Sequence, residues 1–231
     1  MTNEDEKSSA EVLSAAIAST LNYFMPTIGI PKKLARVIHR GGIDENSALK
    51  ATRSAFGDIL ILGGSIGTGK SVAAAEWLKE FIANPKSYKQ VNWRWGWYHE
   101  PPVFITAATL ALWPIFNPAA IAVLTNTPRL VLDDLGCEAV YEKGAFLATV
   151  ESILSARISE ERKTVITTNL DADGLAKRYG ARLVDRIWGC GTYVGCPGAS
   201  LRGTKGRSES DPCSWDPTSP WWTSALKSDS D

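Results

Sequence analysis

The chain has 231 residues, enough for one sizeable α/β domain with tails, and 44% of them are apolar, as in ordinary globular proteins. Its 25 Lys and Arg residues balance 25 Asp and Glu residues, so no whole-protein field attracts it to nucleic acid or membrane. Four cysteines without C-x-x-C spacing, with only two histidines, disfavour a zinc site. The acidic start lacks signal-peptide order and no apolar run is long enough to span a membrane, so we expect a cytoplasmic protein that contacts no membrane.

The first 28 residues are predicted to form a polar tail and a short helix. Residues 1–10 are polar and predicted to be disordered. Leu13, Ile17, Leu21 and Phe24 then recur at helical spacing, before Pro26 ends the segment. This helix either packs on the main domain or docks on a partner protein.

A basic amphipathic segment, GIPKKLARVIHRGG, opens the main domain, and Pro31 marks its start. Residues 44–47 supply capping side chains for a second helix that is expected to run to about Phe56. The segment DILILGGSIGTGKSVAAAEWL follows, with a buried strand at residues 59–62 and an Ala-rich helix beginning near Ser71.

The turn between that strand and helix fits the phosphate-binding pattern G-x-x-x-x-G-K-[ST]. Its glycines let successive backbone N–H groups point into one concavity that suits phosphate oxygens. Lys70 adds a charge for the β- and γ-phosphates, and the Ser71 hydroxyl is a ligand for Mg²⁺. The predicted nucleotide-binding residues are Gly64, Ser65, Ile66, Gly67, Thr68, Gly69, Lys70 and Ser71.

An aromatic stretch, VNWRWGWYHEPP, follows the Ala-rich helix. In an extended chain its alternating Trp93, Trp95 and Trp97 share one face, beside Arg94. This pattern is typical either of a stacking platform for single-stranded nucleic acid or of a strand or loop that buries its tryptophans. A second strand is predicted at residues 103–106, and the helical pattern after it is broken by Pro114 and Pro118.

Two further strands are predicted to end in polar side chains. Residues 129–136, RLVLDDLG, end in two carboxylates: Asp133 would hold Mg²⁺, and Asp134 would orient or deprotonate the attacking water. Glu138 is close enough in sequence to substitute as the base. After an amphipathic helix at residues 145–157, the strand at residues 164–168 ends at Asn169, which either contacts the γ-phosphate or water or forms an ordinary Asx turn.

The last ordered part carries two arginines. Arg182 and Arg186 are four residues apart, on one face of a predicted helix, and residues 192–194 form a fifth predicted strand. From residue 203 to 231 Ser, Pro, Asp and Gly dominate, which predicts a disordered tail despite its tryptophans.

The ordered set of motifs resembles the AAA+ ATPases of the DnaC and IstB type. The phosphate loop, LVLDDLG, TTNL, ARLVDRI and a terminal SLR follow one another as in that family, and the similarity spans about residues 29–202. The resemblance implies a P-loop three-layer α/β/α core with a mainly parallel five-stranded sheet. It also implies that Asn169 is the sensor residue, that Arg182 is the arginine finger acting on a neighbouring subunit, and that Arg202 is a second sensor.

The chain departs from the family pattern in three ways. Asp134 stands where many members have Glu, no helical lid can be fitted after Val194, and the N-terminal extension is short. The expected function is an ATP- and Mg²⁺-dependent accessory ATPase that assembles into a ring or spiral and serves a replicative helicase or a transposase, with weak binding of single-stranded DNA. The alternatives are a nucleotide-gated binding module with little hydrolysis and, more remotely, a small-molecule phosphotransferase. Because no N-K-x-D guanine motif occurs, adenine is the expected base.

Overall fold

A computed structural model describes residues 28–41, 43–84, 86, 88–92, 96–99, 101–112, 118–139, 143–198 and 200–201. The predicted N-terminal helix, Trp93, Arg94, Trp95, Arg202 and the tail lie outside these residues. The helices are α1 (Lys32–Arg40), α2 (Ser47–Arg53), α3 (Lys70–Ala83), α4 (Ala107–Leu112), α5 (Pro118–Asn126), α6 (Lys143–Ser159), α7 (Ala172–Tyr179) and α8 (Ala181–Cys190). The strands are β1 (Ile59–Gly63), β2 (Tyr88–Asn92), β3 (Gly96–His99), β4 (Val103–Thr106), β5 (Arg129–Leu135), β6 (Lys163–Thr168) and β7 (Gly191–Gly195).

Five strands form one sheet in the order β4-β5-β6-β1-β7, and every pairing in it is parallel. The predicted α/β class and five-stranded parallel sheet are thereby confirmed. Because β5, β6 and β1 are neighbours, the segments that follow them emerge side by side at one edge of the sheet, where ligands bind in open parallel sheets. The candidate site lies at this edge.

Helices cover both faces of the sheet. Alternate residues of β1 separate the two cores: Ile59 and Ile61 join a cluster with α4 to α8, whereas Leu60 and Leu62 join one with α1, α2 and α3. A strand that is buried on both faces has a continuous run of apolar residues. Strand β1 fits this pattern, because it is buried at every position. The result is a three-layer α/β/α arrangement.

The described residues between α3 and β4 include two strands outside the main sheet. Strands β2 and β3 pair with each other antiparallel, with Gln90 opposite Trp97. Pro118 opens α5, consistent with the expected break of the helical pattern. Within the described ranges, no helix has the length and apolarity needed to cross a membrane.

Candidate nucleotide-binding site

The turn after β1 forms a tight loop whose glycines are required by its backbone. Gly64, Gly67 and Gly69 have φ of 138°, 87° and 88°, a region that residues with a β-carbon seldom adopt. A Cβ at Gly67 would also lie 2.1 Å from the Ser200 hydroxyl oxygen. Gly69 is the residue before α3, so the first free N–H groups of that helix face the loop.

Lys70 connects the loop to the end of β6. Its side chain is 5% exposed, and Nζ donates to the carbonyl oxygens of Gly64 and Ser65 at 2.7 Å each. The third hydrogen bond, of 3.0 Å, goes to Asn169 Oδ1. Burial lowers the pKa of Lys70, and this is partly offset by Cys196 and the two nearby aspartates. The ammonium group therefore sits among three oxygen acceptors in the hollow of the loop.

The segment after β7 packs directly against the loop. The N–H of Cys196 donates to Gly63 O at 2.7 Å, and the N–H of Leu201 donates to Gly67 O at 2.9 Å. These two bonds hold Cys196 and Leu201 against the loop. Sequence reasoning missed this contact because hydrogen bonds between backbone groups leave no mark in the pattern of side chains.

Asp133 is a buried carboxylate next to the start of α3. Its side chain is 5% exposed, and the hydroxyls of Thr167 and Ser71 hydrogen-bond to it, the former at 2.6 Å. Burial, followed by repulsion from Asp134, raises the pKa of Asp133 to about 6. Because its charged form is disfavoured in this way, the Asp133 carboxylate would be stabilised by a bound cation.

Asp134 sits in a β-bulge. The register between β5 and β6 slips between Leu132 and Leu135, so β5 carries one extra residue at this point. Asp134 takes φ of 54°, in the left-handed region that Asp tolerates better than most residues, and its N–H donates to Thr167 Oγ1 at 2.9 Å. The two carboxylates remain close enough for the charge of Asp134 to act on Asp133.

Asn169 follows β6, and its side chain contacts Lys70 of the loop. Besides accepting from Lys70, it donates from Nδ2 to Cys137 Sγ at 3.4 Å. The side chain of Asn169 thus bridges the phosphate loop and the segment after β5, which is more than a local Asx turn provides.

Glu138 makes hydrogen bonds to residues outside the phosphate loop, which argues against its role as a substitute base. Its carboxylate accepts from Gly136 N–H, Arg178 Nε and Tyr179 Oη at 2.8, 2.9 and 2.6 Å, and it is 3% exposed. Glu138 fixes the turn after β5 against α7 and has little freedom to reach a water molecule.

Arg182 does not join this group of residues. Its side chain is 80% exposed, and Nε lies 3.3 Å from Glu151 on α6. Arg186, one turn later, contacts Ser155 on the same helix. The two arginines therefore lie together on the outside of α8, accessible to another molecule.

Two important residues escaped the sequence reasoning. The Thr167 hydroxyl donates to the Asp133 carboxylate and accepts from the backbone N–H of Asp134, so it contacts both neighbouring aspartates. The only sequence feature that marked Thr167 was a hydroxyl side chain near the end of a predicted buried strand. Arg157 is wholly buried and donates to the carbonyls of Leu124, Thr125, Thr127 and Lys163 and to the hydroxyl of Thr164.

The arrangement suits a triphosphate with a divalent cation. It offers free N–H groups at a helix start, one ammonium group, one hydroxyl and one buried carboxylate, with a second carboxylate and an amide beyond them. Oxygen ligands in this number fit Mg²⁺, which keeps several waters and binds through one or two protein groups plus phosphates. The three strand ends bring together Lys70, Ser71, Asp133, Asp134 and Asn169, and leave out Arg182.

No family model and no curated protein matches the chain. Solved structures do resemble it. The crystal structure of DnaI has a TM-score of 0.53 and 20% identity, covering 75% of this chain and 95% of that one. A putative primosome component from Streptococcus pyogenes serotype M3 gives the same TM-score of 0.53 at 20% identity, over 75% of this chain and 93% of that one.

The replication initiator DnaA, solved with AMPPCP and single-stranded DNA, has a TM-score of 0.53 and 15% identity. The match covers 70% of this chain and 50% of the DnaA chain, so this chain corresponds to about half of that protein. At these identities the likeness concerns the fold. The chain shares the α/β fold of these proteins, and this is the fold that the resemblance of its ordered motifs implied.

Proposed function

We propose that this protein binds ATP with Mg²⁺, hydrolyses it, and serves as an accessory ATPase of DNA replication, of the helicase-loader type. The observation that carries the proposal is the position of Lys70, whose ammonium group meets the loop carbonyls and Asn169 in one hollow. Phosphate oxygens entering this hollow would gain the ammonium charge and the N–H groups at the start of α3. No other group of described residues offers this combination.

The proposed Mg²⁺ ligands are Ser71 and Asp133. Their hydrogen bond places a hydroxyl and a carboxylate oxygen side by side at the start of α3. When bound there, Mg²⁺ would neutralise charge on the β- and γ-phosphates. Thr167 holds the Asp133 carboxylate in place from the other side, by a hydrogen bond of 2.6 Å.

Hydrolysis is assigned to Asp134, with Asn169 as its partner. The charge of Asp134 acts on both Lys70 and Asp133, which supports a position near the phosphates, where its carboxylate would accept a proton from the attacking water. The amide of Asn169 would hydrogen-bond the γ-phosphate or that water. We assign Arg182 to the nucleotide of a neighbouring subunit, because in its own chain it faces outward. Repeating such a contact builds a ring or an open spiral.

Replication is favoured over transposition by the solved structures that share the fold, since they include a putative primosome component and a replication initiator. The proposed partners are a replicative helicase, further copies of this chain, and single-stranded DNA, to which one of those proteins is bound. A transposase is the other candidate for the protein partner. The proposed location is the cytoplasm.

A second candidate function is a nucleotide-gated binding module with little turnover. The observation that favours it is Asp134, whose short side chain starts from a left-handed backbone conformation and reaches less far than Glu would. Measured turnover separates the two candidates: binding of ATP without hydrolysis, in the assembled oligomer, would support the gated module.

The test of the nucleotide site is Lys70→Ala. Removing the ammonium group should abolish tight binding of a fluorescent ATP analogue, while the circular dichroism spectrum stays unchanged. Lys177→Ala, on the exposed surface of α7, is the matched control and should bind as the unaltered protein does. Equal affinity in the two variants would refute the site.

A further inference from the structure

Helix α1 presents a concentrated basic face. Its charged side chains are Lys32, Lys33, Arg36 and Arg40, all of them exposed, and the helix contains no acidic residue. At about 100° per residue these four positions fall within an arc of about 100°, and they span about 12 Å along the helix axis. In the part of the chain that the structure describes, none of the four takes part in an ion pair or a side-chain hydrogen bond. Because the whole chain has a net charge of zero, this positive charge is a property of the α1 face and not of the protein as a whole.

The opposite face of α1 is fastened to the helix that begins at the phosphate loop. Ile38 is 0% exposed and packs in the same core as Ala74 and Leu78 of α3. Lys79 of α3 donates to Ile38 O at 2.9 Å and pairs with Glu76 at 3.0 Å, which ties the last turn of α1 to α3. The basic face therefore rests on the helix whose first residue is Lys70.

We propose that this basic face, Lys32, Lys33, Arg36 and Arg40, binds the phosphate backbone of single-stranded DNA. The inference deepens the proposed function and rests on it, since it assigns a surface to the nucleic-acid partner. It relocates the contact from the aromatic stretch around Arg94 to α1. Four cations in a row without protein partners complement a row of phosphates, and each contact releases a counterion on binding.

The geometry favours a single strand over a duplex. In a duplex the faces of the bases are buried by stacking, whereas the bases of a single strand are free to contact apolar side chains. A single strand can lie along the exposed half. Val37, 41% exposed beside the cations, offers an apolar contact to an unstacked base.

The test compares two variants of the full chain that lose the same charge. Arg36→Gln/Arg40→Gln removes half of the basic face, and Lys86→Gln/Lys177→Gln removes two exposed lysines elsewhere. Binding of a fluorescent 25-nucleotide oligo(dT) is followed by anisotropy from 50 to 300 mM NaCl, with an ATP analogue present. Binding of that analogue is measured in parallel.

Loss of two phosphate contacts should lower the slope of log K against log salt by about 1.4, and the affinity at 0.1 M salt by about 25-fold. The control should change neither. Equal losses in both variants, no loss in either, or no binding of oligo(dT) by the unaltered protein would overturn the proposal. Tighter binding of a 25-base-pair duplex than of oligo(dT) would overturn the assignment to single strands.

One further measurement tests whether the partner of this face is a nucleic acid or an acidic protein segment. If a poly-glutamate peptide displaces oligo(dT) at equal charge concentration, and the α1 variant loses both ligands alike, the face binds an acidic protein segment and the proposal is wrong. The parallel measurement separates the two hypotheses. Retained ATP binding with unchanged DNA binding refutes only this inference, whereas failure of the unaltered protein to bind the ATP analogue refutes the proposed function.

Discussion

Asp133→Asn should stabilise the protein when nucleotide is absent. The carboxylate is buried, and its pKa is raised from 3.8 to about 6, first by burial and then by Asp134. Because this value lies above that of the unfolded chain, the folded protein binds more protons between pH 4 and pH 6. Stability therefore falls as the pH rises through that window. The difference corresponds to about 3 kcal/mol at pH 7.5, on the order of 1.4 kcal/mol for each pKa unit.

An amide at this position carries no charge to bury, but it hydrogen-bonds Thr167 and Ser71 less strongly. A net gain of about 2 kcal/mol in the free energy of unfolding is expected at pH 7.5, from urea denaturation in EDTA. The gain should be lost near pH 4, where the unaltered protein no longer buries a charge and the variant is equally stable or about 1 kcal/mol less stable. Asp185→Asn, an exposed carboxylate on α8, is the control and should show neither effect. Lower stability of Asp133→Asn at pH 7.5 in EDTA would contradict the reasoning.

With Mg²⁺ and ATP present the order should reverse. A ligand that binds only the folded state stabilises it by about 2.7 kcal/mol at one hundred times Kd. The unaltered protein should gain this stabilisation on addition of Mg·ATP. Asp133→Asn should gain much less, because one of the two proposed cation ligands is missing. A gain in the variant as large as that of the unaltered protein would remove Asp133 from the metal site.

Two further substitutions test neighbouring parts of the structure. Asp134→Asn should bind Mg·ATP but turn it over at least about 100-fold more slowly, since the amide accepts no proton; Asn tolerates the left-handed backbone at this position, and full turnover would place the base elsewhere. Arg157→Met should lower the free energy of unfolding by more than about 3 kcal/mol, because it leaves several buried carbonyls of α5 and β6 without a donor. A loss below about 1 kcal/mol in urea denaturation would show that water replaces the guanidinium.

The phosphate loop and the strand ends could be predicted because the residues that identify each of them are consecutive in the sequence. Lys70 and Ser71 are fixed by the spacing of the glycines around them, and Asp133 and Asn169 each follow an apolar run that had to be a buried strand. Parallel neighbours then bring such ends to one edge. The candidate residues can be named without knowing which strands pair, whereas the order β5-β6-β1, which brings these strand ends side by side, comes from the structure.

What could not be predicted depends on register and on long-range contacts. The bulge at Asp134 exists only relative to β6, so no pattern within β5 reveals it. The sequence offered Glu138 as a substitute base because the residues that bind its carboxylate, Arg178 and Tyr179, lie about 40 residues away. Arg157 resembled an ordinary polar residue of an amphipathic helix, although its guanidinium is the donor that joins α5 to β6. Each role depends on a hydrogen-bond partner that is distant in the sequence.

The position of Arg182 predicts that the protein is active only as an oligomer. In its own chain the guanidinium is 80% exposed and pairs with Glu151, away from the Lys70 hollow. An arginine supplied by a neighbour is worth about 10³–10⁵ in rate, so Arg182→Ala should keep its ATP affinity and lose nearly all turnover. Glu151→Gln removes the same ion pair but leaves the arginine in place, and it should retain turnover if the pair itself has no catalytic role.

Mixing two inactive variants decides whether Arg182 acts on the neighbouring subunit. In a mixture of Arg182→Ala and Lys70→Ala, a site works when its nucleotide is held by the first variant and its arginine comes from the second. Random assembly in equal amounts makes this arrangement at about one junction in four, so about a quarter of the normal turnover should return. Activity of the unaltered protein should also rise more steeply than linearly with its concentration. Mixed oligomers that form, as judged by light scattering, yet hydrolyse no ATP would place Arg182 in its own site or outside catalysis, because only an arginine acting across the junction lets one variant supply what the other lacks.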